Sequence, residues 1–300
     1  MDMSATATPS HIATTKTFPL KYFVLAFTFT WIFWVLAALG ARGAIPALPG
    51  LTVIGTFGPL VAAVIVTAQE SGRTGLRSLL RQVVRWRVAP TWYGVVILGP
   101  LLIQLVAIAL HVSLGGQMPT LGALIGALPT MVIVTVYMVI FVALGEEVGW
   151  RGYALPALQA RHGALLSSLI LGVLWALWHL PLFFNSDTLY GNLPFVLFLA
   201  YLVPFTILIT WVYNGTGGSV LLAILMHAVF NASSELWKTI PDYSVEPASV
   251  AEAFARNVHV HLMMTLVLWA AAMIVVLACG PRNLSRRPRQ VLRQGAGAGQ

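Results

Sequence analysis

The chain has 300 residues, 58% of them hydrophobic and 9% charged, with 17 basic against nine acidic side chains and a formal net charge of +8. A mean hydropathy of +0.85 lies outside the range of soluble globular domains, and one cysteine, Cys279, excludes an intramolecular disulfide and any multi-cysteine zinc or redox centre. The basic excess is spread between apolar runs, a distribution that argues against nucleic acid as a partner.

In chain order, residues 1–20 are rich in Ser, Thr and Ala and are expected to form a disordered N-terminus. Eight apolar runs follow, at about 22–39, 51–68, 91–112, 121–147, 164–184, 193–213, 219–237 and 258–279. Each is about 20 residues long and uninterrupted, which suits helices crossing about 30 Å of hydrocarbon rather than the alternating strands of a barrel. The first run follows Lys16 and Lys21 as a signal peptide would, but its apolar stretch exceeds a usual signal core, so it reads as a retained anchor. The expected fold is therefore an all-α, polytopic membrane bundle of about eight transmembrane helices over residues 21–280. Residues 281–300, basic and then Gly/Ala/Gln-rich, read as a disordered tail. No boundary between soluble domains and no internal repeat is visible.

Counting loops from an inside N-terminus, one side holds Lys16, Lys21, Arg73, Arg77, Arg81, Arg85, Arg87, Arg151, Arg161, Arg282, Arg286, Arg287, Arg289 and Arg293. The other side holds Arg42, Lys238 and Arg256. The positive-inside rule then predicts a multi-pass protein of the plasma (inner) membrane with both termini cytoplasmic. Arg73, Arg77, Arg81 and Arg85 recur every four residues among leucines and valines, the pattern of an amphipathic helix on the cytoplasmic interface in contact with anionic lipid.

Ionisable groups within apolar runs need a partner or a watery cavity, and are functional candidates for that reason. Three clusters qualify. Glu147 and Arg151 are four apart and share a helix face, the spacing of an ion pair, while Glu146 points about 100° away, free to take a proton from water. His179 ends the fifth run, with Trp175 one turn before it and Pro181 two residues after it. His227 and Asn231 are also four apart, so that both could donate to one oxygen, as a tetrahedral oxyanion requires. Taken singly, each cluster also reads as a salt-bridge cluster or as polar packing between helices. If the fourth and fifth runs form a hairpin turning at His162-Gly163, Glu146 and His179 stand at equal height, about 24 Å from the turn. The tip, with Gln159, Arg161 and His162, then protrudes from the bilayer, and Pro156 should kink the first arm.

These residues resemble the EExxxR, FxxxH and HxxxN motifs of the CAAX-protease and bacteriocin-processing family of intramembrane proteases, which includes the Abi proteins and the type II CAAX prenyl endopeptidases. The motifs occur in the family's order within about residues 120–234, and Trp175 stands where the family pattern has phenylalanine. The resemblance implies hydrolysis of a peptide bond in a membrane-associated peptide or protein, in some members a lipidated one. It makes Glu146 and His179 the pair that activates water, His227 and Asn231 the oxyanion donors, and Glu147, Arg151 and Trp175 their supports. A metal-free, glutamate-activated water suits these residues; zinc held by Glu146, His179 and His227 is the alternative, without the usual HExxH. A non-enzymatic reading, a proton- or ion-relay transporter or a bacteriocin-immunity scaffold, needs a polar path to both membrane faces. The remaining histidines, His11, His111, His259 and His261, read as background.

Overall fold

The computed structural model describes residues 18–185 and 188–292. The N-terminal expectation, for residues 1–17, lies outside these. Among the described residues there are helices and no strands, and eight helical stretches are long and apolar enough to cross a membrane. The chain is thus an all-α integral membrane protein with the expected number of spans.

α1 (Leu20–Ala41) packs on α3 (Gly58–Val83), which follows the short α2 (Leu51–Gly55). Gly72, at φ +54° and ψ −147°, breaks α3. Only glycine adopts that conformation without strain, and it separates the apolar span from the arginine-bearing amphipathic turns. α4 (Pro90–Ser113) lies against α10 (Val220–Ser233), which also touches α5 (Leu121–Met138) and α9 (Phe195–Gly215). α8 (Ala164–Trp178) and α11 (Val250–Cys279) flank α9. α9 and α10 are the most enclosed spans, and α5 is the most open to lipid.

The fourth span runs from α5 through a π-helical turn at Val139–Ala143, α6 (Leu144–Gly149), a second π turn at Trp150–Ala154, and α7 (Leu155–Gln159). Each π turn has a local explanation. In the first, Thr56 Oγ1 donates to the carbonyl of Phe141 at 2.8 Å, an insertion of the kind that widens a helix. The second precedes Pro156, whose missing N–H and ring would disrupt the bond to Gly152. The expected kink is replaced by a wider turn, and the backbone stays helical. α6 lies against α3 because Gly145 and Gly149, one turn apart, admit the backbone of residues 56–59. A Cβ on Gly145 would meet the Thr56 carbonyl oxygen at 2.7 Å, and one on Gly149 would collide with the carbonyl of Pro59. Gly149→Ala is therefore expected to cost about 1–3 kcal/mol, the usual penalty of overpacking, and thermal melting in detergent measures it.

The described part of the tail departs from its expectation, while residues 293–300 lie outside the described residues. Residues 281–292 are not detached but fold back over the end of the bundle. The carbonyls of Pro281 and Arg282 accept from Leu165 and Ala164 at the start of α8. Asn214 donates to the Asn283 carbonyl, Gln159 to that of Gln290, and Arg289 Nε to that of Gln159. Gln159 and Asn214 are fully buried and exchange two amide hydrogen bonds, of 3.1 and 2.8 Å. The hairpin tip is accordingly covered at Gln159 rather than exposed, because buried amides need partners and the tail carbonyls supply them. At the opposite end, His111 bridges His259 and Asp242, both at 3.1 Å, so two of the histidines read as background clamp the loop before α11. The Gln117 backbone N–H, and then His111, hold the Asp242 carboxyl below the usual carboxylate range.

Candidate active site

Four elements bring the clusters together. α6 carries Glu146 and Glu147, the second π turn carries Arg151, the end of α8 carries Trp175 and His179, and α10 carries His227 and Asn231. π turns interrupt α-helices frequently at functional sites. Here they flank the two glutamates and change the direction in which successive side chains point.

Glu147 and Arg151 are completely buried and paired, Arg151 Nη1 donating to Glu147 Oε1 at 2.8 Å. The same oxygen accepts from His227 Nδ1 at 2.9 Å. Sequence reasoning missed this second bond: a histidine 80 positions away leaves no local pattern. Because a carboxylate only accepts, the bond places a proton on His227 Nδ1 and turns Nε2 away from Glu147. Nε2 is then the nitrogen of His227 that remains for an oxyanion. The other donors of Arg151, Nε and Nη2, make no protein hydrogen bond; its guanidinium lies over the Trp175 ring, 4.6 Å from the centroid, a cation–π contact.

Glu146 is also buried, but among the described residues it is paired with no lysine or arginine. Its carboxylate accepts a 2.6 Å hydrogen bond from Trp175 Nε1. Tryptophan at a phenylalanine position is thus more than an aromatic wall, because its ring adds a donor that phenylalanine lacks. The Trp175 ring packs edge-on to His227, with centroids 5.3 Å apart, and stacks on Phe205. Trp175→Phe is expected to lower kcat about tenfold with KM nearly unchanged, the scale of one lost hydrogen bond to a charged group. A comparison of the two steady-state constants for wild type and variant tests this.

His179 closes α8. Its Nδ1 lies 2.8 Å from the Trp175 carbonyl oxygen, which can only accept, so Nδ1 carries the proton and Nε2 presents a lone pair. Trp34, Trp178, Tyr190 and Phe198 surround the ring, with centroids 4.8–5.8 Å away. This aromatic box fixes the ring plane and excludes bulk water from it. Asn231 lies one turn beyond His227, and its amide Nδ2 approaches the thioether of Met138 at 3.8 Å. Sulfur is a weak acceptor, so this donor is easily redirected. The structure therefore gathers Glu146, Glu147, Arg151, Trp175 and His227 into one hydrogen-bonded and stacked cluster, sets His179 against it through Trp175, and leaves Asn231 at its edge.

Each histidine offers Nε2 while Nδ1–H is held by a carbonyl or a carboxylate, an arrangement also found behind metal-bound histidines. Among the described residues, however, no three His, Cys, Asp or Glu side chains converge closely enough to hold a metal ion.

Residues 127–233 match the family described as type II CAAX prenyl endopeptidase Rce1-like. That segment includes Glu146, Glu147, Arg151, Trp175, His179, His227 and Asn231. A protein of Methanococcus maripaludis, CAAX prenyl protease 2, is 27% identical over 204 residues, covering 64% of this chain and 73% of that protein.

Proposed function

We propose that this chain, which carries an Rce1-like domain in residues 127–233, is an intramembrane endopeptidase that hydrolyses a peptide bond in a membrane-associated, prenylated peptide. The single observation that carries the mechanism is the contrast between the two glutamates. Glu147 is committed to Arg151 and His227, whereas Glu146 has, among the described residues, only the neutral indole donor of Trp175 and keeps the capacity to accept a proton.

In the proposed reaction a water molecule lies between Glu146 and His179 Nε2. Glu146 takes its proton as the oxygen attacks the scissile carbonyl carbon. The carbonyl π electrons move onto oxygen, where His227 Nε2–H and Asn231 Nδ2–H donate to the oxyanion. His227 must be doubly protonated for this, with Nδ1–H on Glu147 and the added charge offset by the oxyanion itself. Collapse of the intermediate breaks the C–N bond, and Glu146 returns its proton to the leaving amine. No metal takes part in any step. The arginine-rich end of the bundle faces the cytoplasm under this reading, so substrate arrives from that side or from the inner leaflet.

The test is hydrolysis of a farnesylated peptide ending in Cys and three further residues by the purified protein in lipid, with products read by mass spectrometry. Release of the terminal tripeptide is expected, it should be much slower from the unprenylated peptide, and it should persist in a zinc chelator. Asn231→Ala should lower kcat by about 10²- to 10³-fold with little change in KM. Stoichiometric zinc in active protein, lost together with activity on chelation and restored with it, would overturn the metal-free mechanism and leave the peptidase assignment standing.

A further inference from the structure

At the arginine-rich end of the bundle, two guanidinium groups converge from elements 200 residues apart without an acid between them. Arg85 follows α3, and its Nη1 donates to the Gly217 carbonyl at 2.9 Å. Arg287 belongs to the folded-back tail. Arg85 Nη1 and Arg287 Nη1 lie 3.6 and 3.4 Å from one point, the Cβ position of Gly217, so they are at most 7.0 Å apart. Like charges so close repel, and among the described residues neither forms a salt bridge with a carboxylate. Both arginines also line a second cavity together with Glu70, whose carboxylate accepts from the Tyr153 hydroxyl and forms no salt bridge with either of them among the described residues.

Both arginines line a cavity of about 630 Å³ whose other walls include Arg87, Trp86 and Tyr93. Trp86 is 60% exposed, Arg87 stacks over it at 5.1 Å, and Tyr93 donates to its carbonyl. These residues precede or begin α4, so the cavity sits where a span leaves the hydrocarbon. Exposed tryptophan and tyrosine are enriched at that level. Two unpaired guanidinium groups within one phosphate's reach, beside interfacial aromatics, form a receptor for a phosphate attached to an acyl chain.

We propose that Arg85 and Arg287 together bind the phosphate of one anionic phospholipid, which clamps the C-terminal tail to the loop after α3. A phosphate oxygen accepting from each guanidinium at about 2.8 Å spans the gap between them. The lipid offsets the repulsion of the two arginines, and its acyl chains continue into the bilayer beside α4. This site is separate from the Glu146 cluster, and the proposal stands whether or not the chain is a peptidase.

The test uses the full-length protein with vesicles of phosphatidylcholine containing 20% phosphatidylglycerol, and native mass spectrometry to count retained lipid. Wild type should keep one phosphatidylglycerol through delipidation, and Arg85→Gln with Arg287→Gln should bind it about tenfold more weakly, the scale of one charge-assisted bond. Arg73→Gln with Arg77→Gln removes the same charge from the exposed turns of α3 and should leave retention unchanged. Equal weakening by the two double variants would overturn the site in favour of diffuse attraction to the membrane, and so would full retention by the first. Inorganic phosphate is the second arm: displacement of the lipid at equimolar inorganic phosphate would overturn the lipid assignment. Melting of each variant in neutral detergent shows whether it folds. Should Arg85→Gln with Arg287→Gln fail to fold, Arg85→Lys supplies the same reading, because lysine keeps the charge but cannot span both contacts.

Discussion

Glu146→Gln is expected to lower peptide cleavage by about 10²- to 10⁴-fold, the contribution typical of a general base, while membrane insertion and melting stay close to wild type. The substitution is nearly isosteric and keeps an oxygen to accept from Trp175 Nε1, which donates at 2.6 Å in the native site. Among the described residues no lysine or arginine pairs with Glu146, so the neutral amide leaves no such cation stranded. What disappears is the ability to take a proton from water and return it to the leaving amine. Single-turnover cleavage of the farnesylated peptide, alongside melting of the same preparation, separates the two effects. Turnover within a few-fold of wild type would remove Glu146 from the mechanism and transfer the base to His179, whose Nε2 lone pair is the other acceptor nearby.

The features legible in the sequence are those set by neighbours within one or two turns. Eight spans could be counted because hydrophobic length is a property of each segment alone. The Glu147–Arg151 pair was legible because four residues bring two side chains onto one helix face. The amphipathic turns of α3 were visible as arginines at every fourth residue, whereas the break at Gly72 was not read.

What was not legible depends on partners far away in the chain. His227 reaches Glu147 across 80 positions, and nothing in His227-Ala-Val-Phe-Asn231 distinguishes a ring bound to a carboxylate from one bound to substrate. The donor role of Trp175 was not read, because its indole N–H has meaning only once Glu146 is beside the end of α8. The tail was read as disordered from a composition that cannot build a core. Its order comes instead from carbonyls satisfying the start of α8 and the buried amides of Gln159 and Asn214. Gly145 and Gly149 did carry a usable signal: two small residues one turn apart are what close helix contact in a membrane requires.

The second large effect is expected at Glu147, and it concerns stability before chemistry. Among the described residues its carboxylate is the sole salt-bridge partner of Arg151, and both side chains are completely enclosed. Glu147→Gln leaves a guanidinium that cannot discharge itself by losing a proton, and breaking a buried pair in this way costs about 3–5 kcal/mol. It also removes the acceptor that fixes His227 Nδ1 at 2.9 Å, so the surviving folded protein should turn over more slowly too. Arg151→Met is expected to be milder, because Glu147 retains His227 as a donor and can itself take up a proton. The combination of Glu147→Gln with Arg151→Met then becomes decisive. If the cost of the first substitution is a stranded charge, the second should return part of the lost stability, and melting of the four proteins should show a coupling of at least about 1 kcal/mol. Strictly additive losses would mean that Arg151 is stabilised by its place over the Trp175 ring rather than by Glu147. The pair would then be a consequence of the packing of α6 against α8 and not one of its causes.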